Sequence, residues 1–182
     1  MMPKVGFSKK VTTVLFLFFS IWAFLVVIAP IMIPSESITD LSGLTFISDN
    51  EKDIKELAFP WNVVYTAGDR LCHQHASRSF FINGNQMPFC SRCTAIWIGI
   101  PLGLLLILFI NIPLDFKIIV LFLLGLVPIG IDGVGQLFQL WESTNLIRVA
   151  TGLLTGIICG IGLGIIINEI SDIISSKKSK SN

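Results

Sequence analysis

The stretch Val11–Ile33, VTTVLFLFFSIWAFLVVIAPIMI, is apolar from end to end, contains no charged residue and follows Lys4, Lys9 and Lys10. A helix needs about 20 apolar residues to cross the hydrocarbon of a bilayer, so this segment is long enough to span. The rival reading is a cleaved signal peptide, which has an apolar region of about 7–15 residues and a small-x-small cleavage site. This run is longer and ends Pro-Ile-Met-Ile-Pro, which favours a retained first span.

Three more apolar runs follow. The second covers residues 94–112 and leads into the tight connection Pro113-Leu114-Asp115-Phe116-Lys117. The third covers 118–140 and carries Asp132 together with Gln136, Pro128 and several glycines. The fourth covers 149–167 and gives way to Asn168-Glu169 and a Ser/Lys tail with Lys177, Lys178 and Lys180, expected to be solvated and frayed. The whole chain agrees with this reading. Of its 182 residues 53% are hydrophobic and 14% charged, with mean hydropathy +0.79, against roughly 25% charged in a soluble domain. Disorder is excluded, since it needs low hydrophobicity and high charge. A net charge of +1, from 13 basic and 12 acidic residues, provides no basic field for nucleic acid.

The expected fold is therefore all-α: a four-span transmembrane helical bundle with a Cys/His-containing helical loop module between spans 1 and 2. Residues 1–33 form a cytoplasmic N-terminus and first transmembrane helix, 34–93 the extracytoplasmic module, 94–168 a three-helix transmembrane bundle and 169–182 a cytoplasmic tail. The orientation rests on Lys/Arg bias in short segments. Lys4, Lys9, Lys10, Lys117, Lys177, Lys178 and Lys180 fall inside. Lys52, Lys55, Arg70, Arg78 and Arg92 lie in the long loop, diluted by Glu36, Asp40, Asp49, Glu51, Asp53, Glu56 and Asp69, and Arg148 also falls outside. Both termini are expected in the cytoplasm of a multi-pass cell-membrane protein, with the lipid bilayer as partner.

Within the module, residues 34–50 read as loop from their Ser, Thr, Asp and Gly content. Asp49-Asn50-Glu51 caps a short helix that Pro60 stops. A second helix is expected from Asn62 to Phe81, because Val63, Val64, Ala67, Leu71 and Phe81 recur at helical spacing, and Asn83-Gly84-Asn85 turns the chain. Three of the four cysteines lie here, at Cys72, Cys90 and Cys93. An odd number cannot all pair within the module, and Cys90-x-x-Cys93 has the spacing of a metal knuckle. A zinc site is the natural reading. On a helix His75 shares a face with Cys72 while His73 points about 100° away, so spacing prefers Cys72, His75, Cys90 and Cys93. The alternative is a disulfide between two of these cysteines with the third buried. Cys159, alone in the fourth span, reads as a small packing residue.

Cys72-His73-Gln74, Arg78-Ser79, Pro88 and Cys90-x-Arg92-Cys93-Thr94 resemble a family of small predicted integral membrane proteins known only as a domain of unknown function. The resemblance continues in Asp132-Gly133 with Gln136, then Ser143-Thr144-Asn145, Arg148 and Thr151-Gly152, and covers about residues 69 to 164. It implies an integral membrane protein with functional positions at Cys72, His73, Arg78, Cys90, Arg92, Cys93, Asp132, Gln136, Asn145 and Arg148, without an assigned activity. The family motif places its histidine directly after the first cysteine, at His73, and leaves His75 outside. The resemblance thus implies Cys72, His73, Cys90 and Cys93 as ligands, with His75 as the alternative. His73 could also act as a base beside a three-cysteine site.

Asp132 and Gln136 are four apart and share one face of the third span, with Gln136 nearer the side of the module. Arg148 opens the fourth span on that same side. Arg78, Arg92, Arg148 and Asp132 are therefore expected to border one pocket, and an ionisable residue inside a span marks function by default. The bland alternatives are an Asp132 pair with Arg148 or Arg92 that holds helices together, and arginines that snorkel to headgroups. Gly152, Gly156, Gly160 and Gly164 recur every fourth residue along the fourth span, with Gly99 and Gly103 on the second, a pattern that admits a closely packed helix. That helix is either internal or supplied by a second copy in a homo-oligomer.

No phosphate loop, nucleophile elbow or His-Glu-x-x-His motif is present. Three functions remain. A membrane enzyme would act on a lipid-linked or phosphorylated substrate, with Arg78 and Arg92 binding it and Asp132, Gln136, Asn145 and Arg148 in catalytic positions. A non-enzymatic protein would use the metal-stapled loop for binding or assembly. A thiol redox protein would use Cys90 and Cys93.

Overall fold

The structure is a computed structural model that describes the backbone of residues 4–180 and the side chains of residues 8–177. The elements are α1 (Lys4–Met32), α2 (Glu51–Lys55), α3 (Trp61–Leu71), a 3-10 turn (Ala76–Arg78), β1 (Phe81–Ile82), β2 (Asn85–Gln86), α4 (Ser91–Phe109), α5 (Phe116–Leu137) and α6 (Asn145–Lys180). The fold is all-α with one two-stranded hairpin. Among the described residues four helices are long and apolar enough to cross a membrane: α1, α4, α5 and α6. The thiol-bearing module lies between α1 and α4.

The first span ends where its hydrogen-bond ladder fails. Pro34 has no N–H to give the Pro30 carbonyl four residues earlier. The Asn85 side-chain amide takes its place, donating to Pro30 O at 3.0 Å and to Pro34 O at 2.8 Å, while its oxygen accepts from Ile38 N at 3.0 Å. Asn85 is fully buried, so the hairpin that carries it is pinned to the end of α1. Asn83 and Gly84, at φ 57° and 75°, make the tight turn of that hairpin. Two positive φ values in succession are what a two-residue turn between twisted strands requires.

The other spans are shifted from expectation by a few residues. Asp115 caps α5 by accepting from Ile118 N at 2.8 Å, a favourable N-cap arrangement. α5 stops at Leu137 rather than Leu140, as Gln139 takes a φ of 55° and Leu140 N turns back to the Gly135 carbonyl at 2.9 Å. α6 starts at Asn145, four residues earlier than the apolar pattern, and runs on to Lys180. The tail is therefore helical through Lys180 rather than frayed, with Ser8 of α1 donating to Asn168. The side chains of Lys4, Lys178 and Lys180 lie outside the described residues.

α6 packs most extensively on α4, and α1 also packs on α4. Glycine explains the α4–α6 closeness: a Cβ at Gly152, Gly156 or Gly160 would fall on the carbonyl of Arg92, Ile96 or Ile100, and one at Gly103 on the Ile157 carbonyl. The glycine stripe is thus used within the chain, against α4, the internal one of the two partners it could serve. Cys159 lies on the exposed flank of α6 and is not a packing residue between helices.

The module is built on α1. Val26, Ala29 and Ile33 share one core with Ile38, Leu41, Ile54, Val64, Tyr65, Met87 and Phe89. The expected Asn62–Phe81 helix stops ten residues early, at Leu71. Cys72 is extended at φ −141° and ψ 145°, and Gln74 has a left-handed φ of 42°. Gln74 is buried and donates to the Pro88 carbonyl at 2.6 Å, a tertiary bond that a continuing helix could not make. The apolar spacing that suggested a longer helix reflects α3 followed by the hairpin.

Candidate functional site

Two groups of polar side chains meet at the module end of the bundle. The first is a thiol cluster. Cys72 terminates α3, Cys90 is the residue before α4 and Cys93 lies in its first turn, and their Sγ atoms lie within 4.8 Å of one another. Gly68 makes this convergence feasible. A Cβ there would collide with the Pro88 carbonyl, so the bare backbone lets the segment before α4 cross α3 closely and deliver Cys90 beside Cys72. The Cys90 N–H donates to Cys72 Sγ at 3.4 Å, a bond that favours a thiolate. Hydrogen bonds from Cys72 and Cys93 hold Cys90 well below the ordinary thiol range, whereas the bond to Cys90 pushes Cys72 up. Three close sulfurs, two of them buried, suit capture of a thiophilic cation.

The three thiols form a group that could hold a metal ion. Tetrahedral zinc with Zn–S bonds of about 2.3 Å needs sulfurs about 3.8 Å apart, within reach of this cluster by small side-chain rotations. His73 follows Cys72 on the loop but is not among the residues of the close group. Its Nδ1 accepts from His75 N at 3.3 Å, which puts the proton of the neutral ring on Nε2. Ligation through Nε2 therefore requires that bond to be given up and the proton to move to Nδ1. Burial pushes its pKa down, opposed by the nearby Cys90 charge. His75 is exposed, with its ring centroid 4.8 Å from that of His73. Because α3 ends before Cys72, the helical-face argument for His75 no longer applies.

The second group is a hydrogen-bonded network around Asp132. This carboxylate is 4% exposed and pairs with the Arg92 guanidinium. Gln136 donates to Asp132 Oδ2 at 3.1 Å, and Trp141 Nε1 approaches Oδ1 at 3.5 Å. Arg148, buried, donates to Gln136 Oε1 at 3.1 Å and to Asn145 Oδ1 at 3.1 Å. Ser91 joins the two groups. It sits between Cys90 and Arg92, and its hydroxyl is 3.0 Å from Asn145 Oδ1 and 3.1 Å from the Arg78 carbonyl.

In front of this network opens a cavity of about 650 Å³, lined by Arg78, Arg92, Gly133, Gln136, Leu137, Gln139, Trp141 and Glu142. Arg78, Arg92 and Gln136 thus reach its surface, while Asp132, Asn145 and Arg148 lie behind it as support. Arg92 is paired with Asp132. Among the described residues Arg78 and Glu142 have no ion-pair partner.

Several structurally important residues carry no signal in the sequence reading. Gln86 accepts from Leu41 N at 3.0 Å and donates to Gln74 O and Ser79 Oγ. Tyr65 donates to the Gln86 carbonyl at 2.8 Å. Polar residues in a short hairpin read as surface until the tertiary fold buries them. Trp141 and Glu142 were legible only as a connection beside Asn145, and Ser91 only as a spacer between two cysteines.

Residues 72–166 match the family described as "Predicted membrane protein (DUF2085)". The chain is similar to the uncharacterized protein MJ1492 of Methanocaldococcus jannaschii, at 39% identity over 95 residues, which is 51% of this chain and 61% of that protein. It is also similar to an uncharacterized protein of Methanothermobacter thermautotrophicus, at 38% identity over 87 residues, 48% of this chain and 78% of the relative. No solved structure matches. The family region holds the whole thiol cluster and the whole Asp132 network, and leaves out α1.

Proposed function

The chain belongs to the DUF2085 family of predicted membrane proteins, and on that premise we propose that it binds an anionic, phosphate-bearing group in the cavity at the module end of its bundle. The observation that carries this reading is the convergence of Arg78 and Arg92 on one cavity, with Arg148 buried directly behind. Against three guanidiniums stand one carboxylate already engaged by Arg92 and one, Glu142, on the exposed loop at the rim. Guanidinium groups bind phosphate through paired, charge-assisted hydrogen bonds. Gln136 and Gln139 add amides at the same surface.

In this reading Arg78 and Arg92 contact the anion. Asp132, Asn145 and Arg148 are positioning residues that hold Arg92 and Gln136 in place. Glu142 is the cavity carboxylate without an ion pair, so it, rather than Asp132, is the group available to exchange a proton with a bound ligand.

Zinc at Cys72, Cys90 and Cys93, with His73 as fourth ligand, would staple α3 to α4 and so fix Arg78 and Arg92 relative to each other. Filled by four protein ligands, such a site is structural. Burial of Cys90, one of the two thiols of the redox alternative, speaks against it, because exchange requires an accessible thiolate. The Lys/Arg bias supports a cavity on the outer face of the cell membrane with both termini inside.

Calorimetry on the detergent-purified chain with glycerol 3-phosphate tests the proposal. Saturable binding that weakens at least tenfold in Arg78→Gln, with metal content and helicity unchanged, is the expected result. An Arg78→Gln variant that binds as the parent does, or a parent that does not bind, overturns it.

A further inference from the structure

We propose that the ligand of the arginine cavity is a membrane lipid, and that its apolar chain leaves the cavity sideways along the Gly130–Gly133 face of α5. This deepens the anionic-group reading above and rests on it.

The starting observation is a contrast among glycines. Gly99, Gly103, Gly152, Gly156 and Gly160 each have backbone of a neighbouring helix where a Cβ would stand. At Gly130 and Gly133 a Cβ would meet nothing within 4 Å. A glycine inside a helix costs about 1 kcal/mol relative to alanine, and no helix–helix packing accounts for these two. They share one face of α5 and leave its backbone bare along one turn.

Continuity with the cavity gives that bare turn a direction. Gly133 lines the cavity together with Leu137, and Gly130 lies one turn deeper. From Leu137 to Gly130 is about 10 Å along the helix axis at about 1.5 Å per residue, which places Gly130 well inside the apolar span. On the same face Leu126 continues toward the far end. The helices leave this side open, since α5 packs on α6 but has no comparable packing on α4, to which Arg92–Asp132 ties it.

The two ends of this path differ in chemistry. The mouth presents Arg78, Arg92, Gln136 and Gln139, and the deeper end presents glycine backbone flanked by Leu126, Val127 and Val134 at hydrocarbon depth. A soluble anion uses the mouth alone. A ligand with a phosphate head and an apolar tail matches both, with the head held by charge and the tail lying along the open glycine face at hydrocarbon depth.

Gly130→Leu provides the test, as it covers the open face at a position that does not line the cavity. The detergent-solubilised chain is titrated with dioleoyl phosphatidic acid by native mass spectrometry and with glycerol 3-phosphate by calorimetry. The expected result is a parent that binds the lipid at least tenfold more tightly than glycerol 3-phosphate, and a variant whose lipid affinity falls at least tenfold while its glycerol 3-phosphate affinity is unchanged. Gly130→Ala, which helix propensity favours, should fold at least as well and show a smaller loss of lipid affinity; if the leucine variant fails to fold, this loss decides. Unchanged lipid affinity in the folded variants, or equal parent affinity for the two ligands, overturns the lipid proposal and leaves the anion reading standing. A parent that does not bind glycerol 3-phosphate overturns the anion reading itself.

Discussion

The Arg92 guanidinium, from the first turn of α4, is paired with the Asp132 carboxylate near the end of α5. These helices have little other packing between them, so this pair, with Gln136 beside it, sets the distance between the two walls of the cavity.

Removing one member of a buried ion pair leaves the other charge uncompensated and typically costs about 3–5 kcal/mol. Arg92 is partly exposed, with a side-chain exposure of 22% against 5% for Asp132, so Asp132→Ala is expected near the low end, at about 3 kcal/mol. The double variant Arg92→Met/Asp132→Leu should recover most of that loss while abolishing glycerol 3-phosphate binding. Reversible unfolding in mixed micelles measures both, and additive losses would show that the pair is not coupled.

The thiol cluster predicts about one zinc per chain by elemental analysis, lost in Cys72→Ser, Cys90→Ser and Cys93→Ser alike. His73→Ala should weaken retention against a chelator, whereas His75→Ala should not. Equal effects of the two histidine variants would remove His73 from the ligand set.

Gly103 faces the Ile157 carbonyl with no room for a methyl group. Gly103→Ala should therefore destabilise the α4–α6 pair by about 2 kcal/mol, in the range of core overpacking. Gly125 offers a control, since the nearest atoms to a Cβ there belong to the flexible Ile158 side chain, and Gly125→Ala should cost markedly less. Thermal unfolding in detergent separates the two.

Tyr65 is the one tyrosine in the chain, so its ionisation can be read directly from tyrosinate absorbance. Burial pushes its pKa up. A raised folded-state value means its contribution to stability is fully present below the ordinary phenol pKa of about 10 and is lost as pH rises above that toward the folded value. Tyrosinate should appear only together with unfolding of the module. In Tyr65→Phe the alkaline loss of stability should shrink, although the variant forfeits the bond to the Gln86 carbonyl and starts about 1 kcal/mol less stable. A simple titration near pH 10 in the folded protein would contradict this.

The spans were legible because hydrophobic length is a one-dimensional property. A helix must satisfy its own backbone inside a bilayer, so an uncharged apolar run such as Val11–Ile33 reads directly as a span, and its ends are blurred by only a few residues. The cysteine cluster was legible in its members, since Cys90-x-x-Cys93 is a local pattern. The histidine was not. Its choice depended on whether a helix continued past Leu71, and the bond from Gln74 to Pro88, fourteen residues away, ended that helix.

The amino-acid sequence by itself determined that this protein is an all-α membrane bundle with a polar, thiol-bearing module between its first two spans, because burial of apolar length and the local spacing of cysteines need no knowledge of neighbours. Only the tertiary structure decided that Asp132 takes Arg92 rather than Arg148, that the glycine stripe of α6 serves α4 rather than a second copy, and that Asn85 completes the end of α1. Each of these is a choice among chemically equivalent partners, and which one wins is set by which backbones can approach closely enough to bring the groups together.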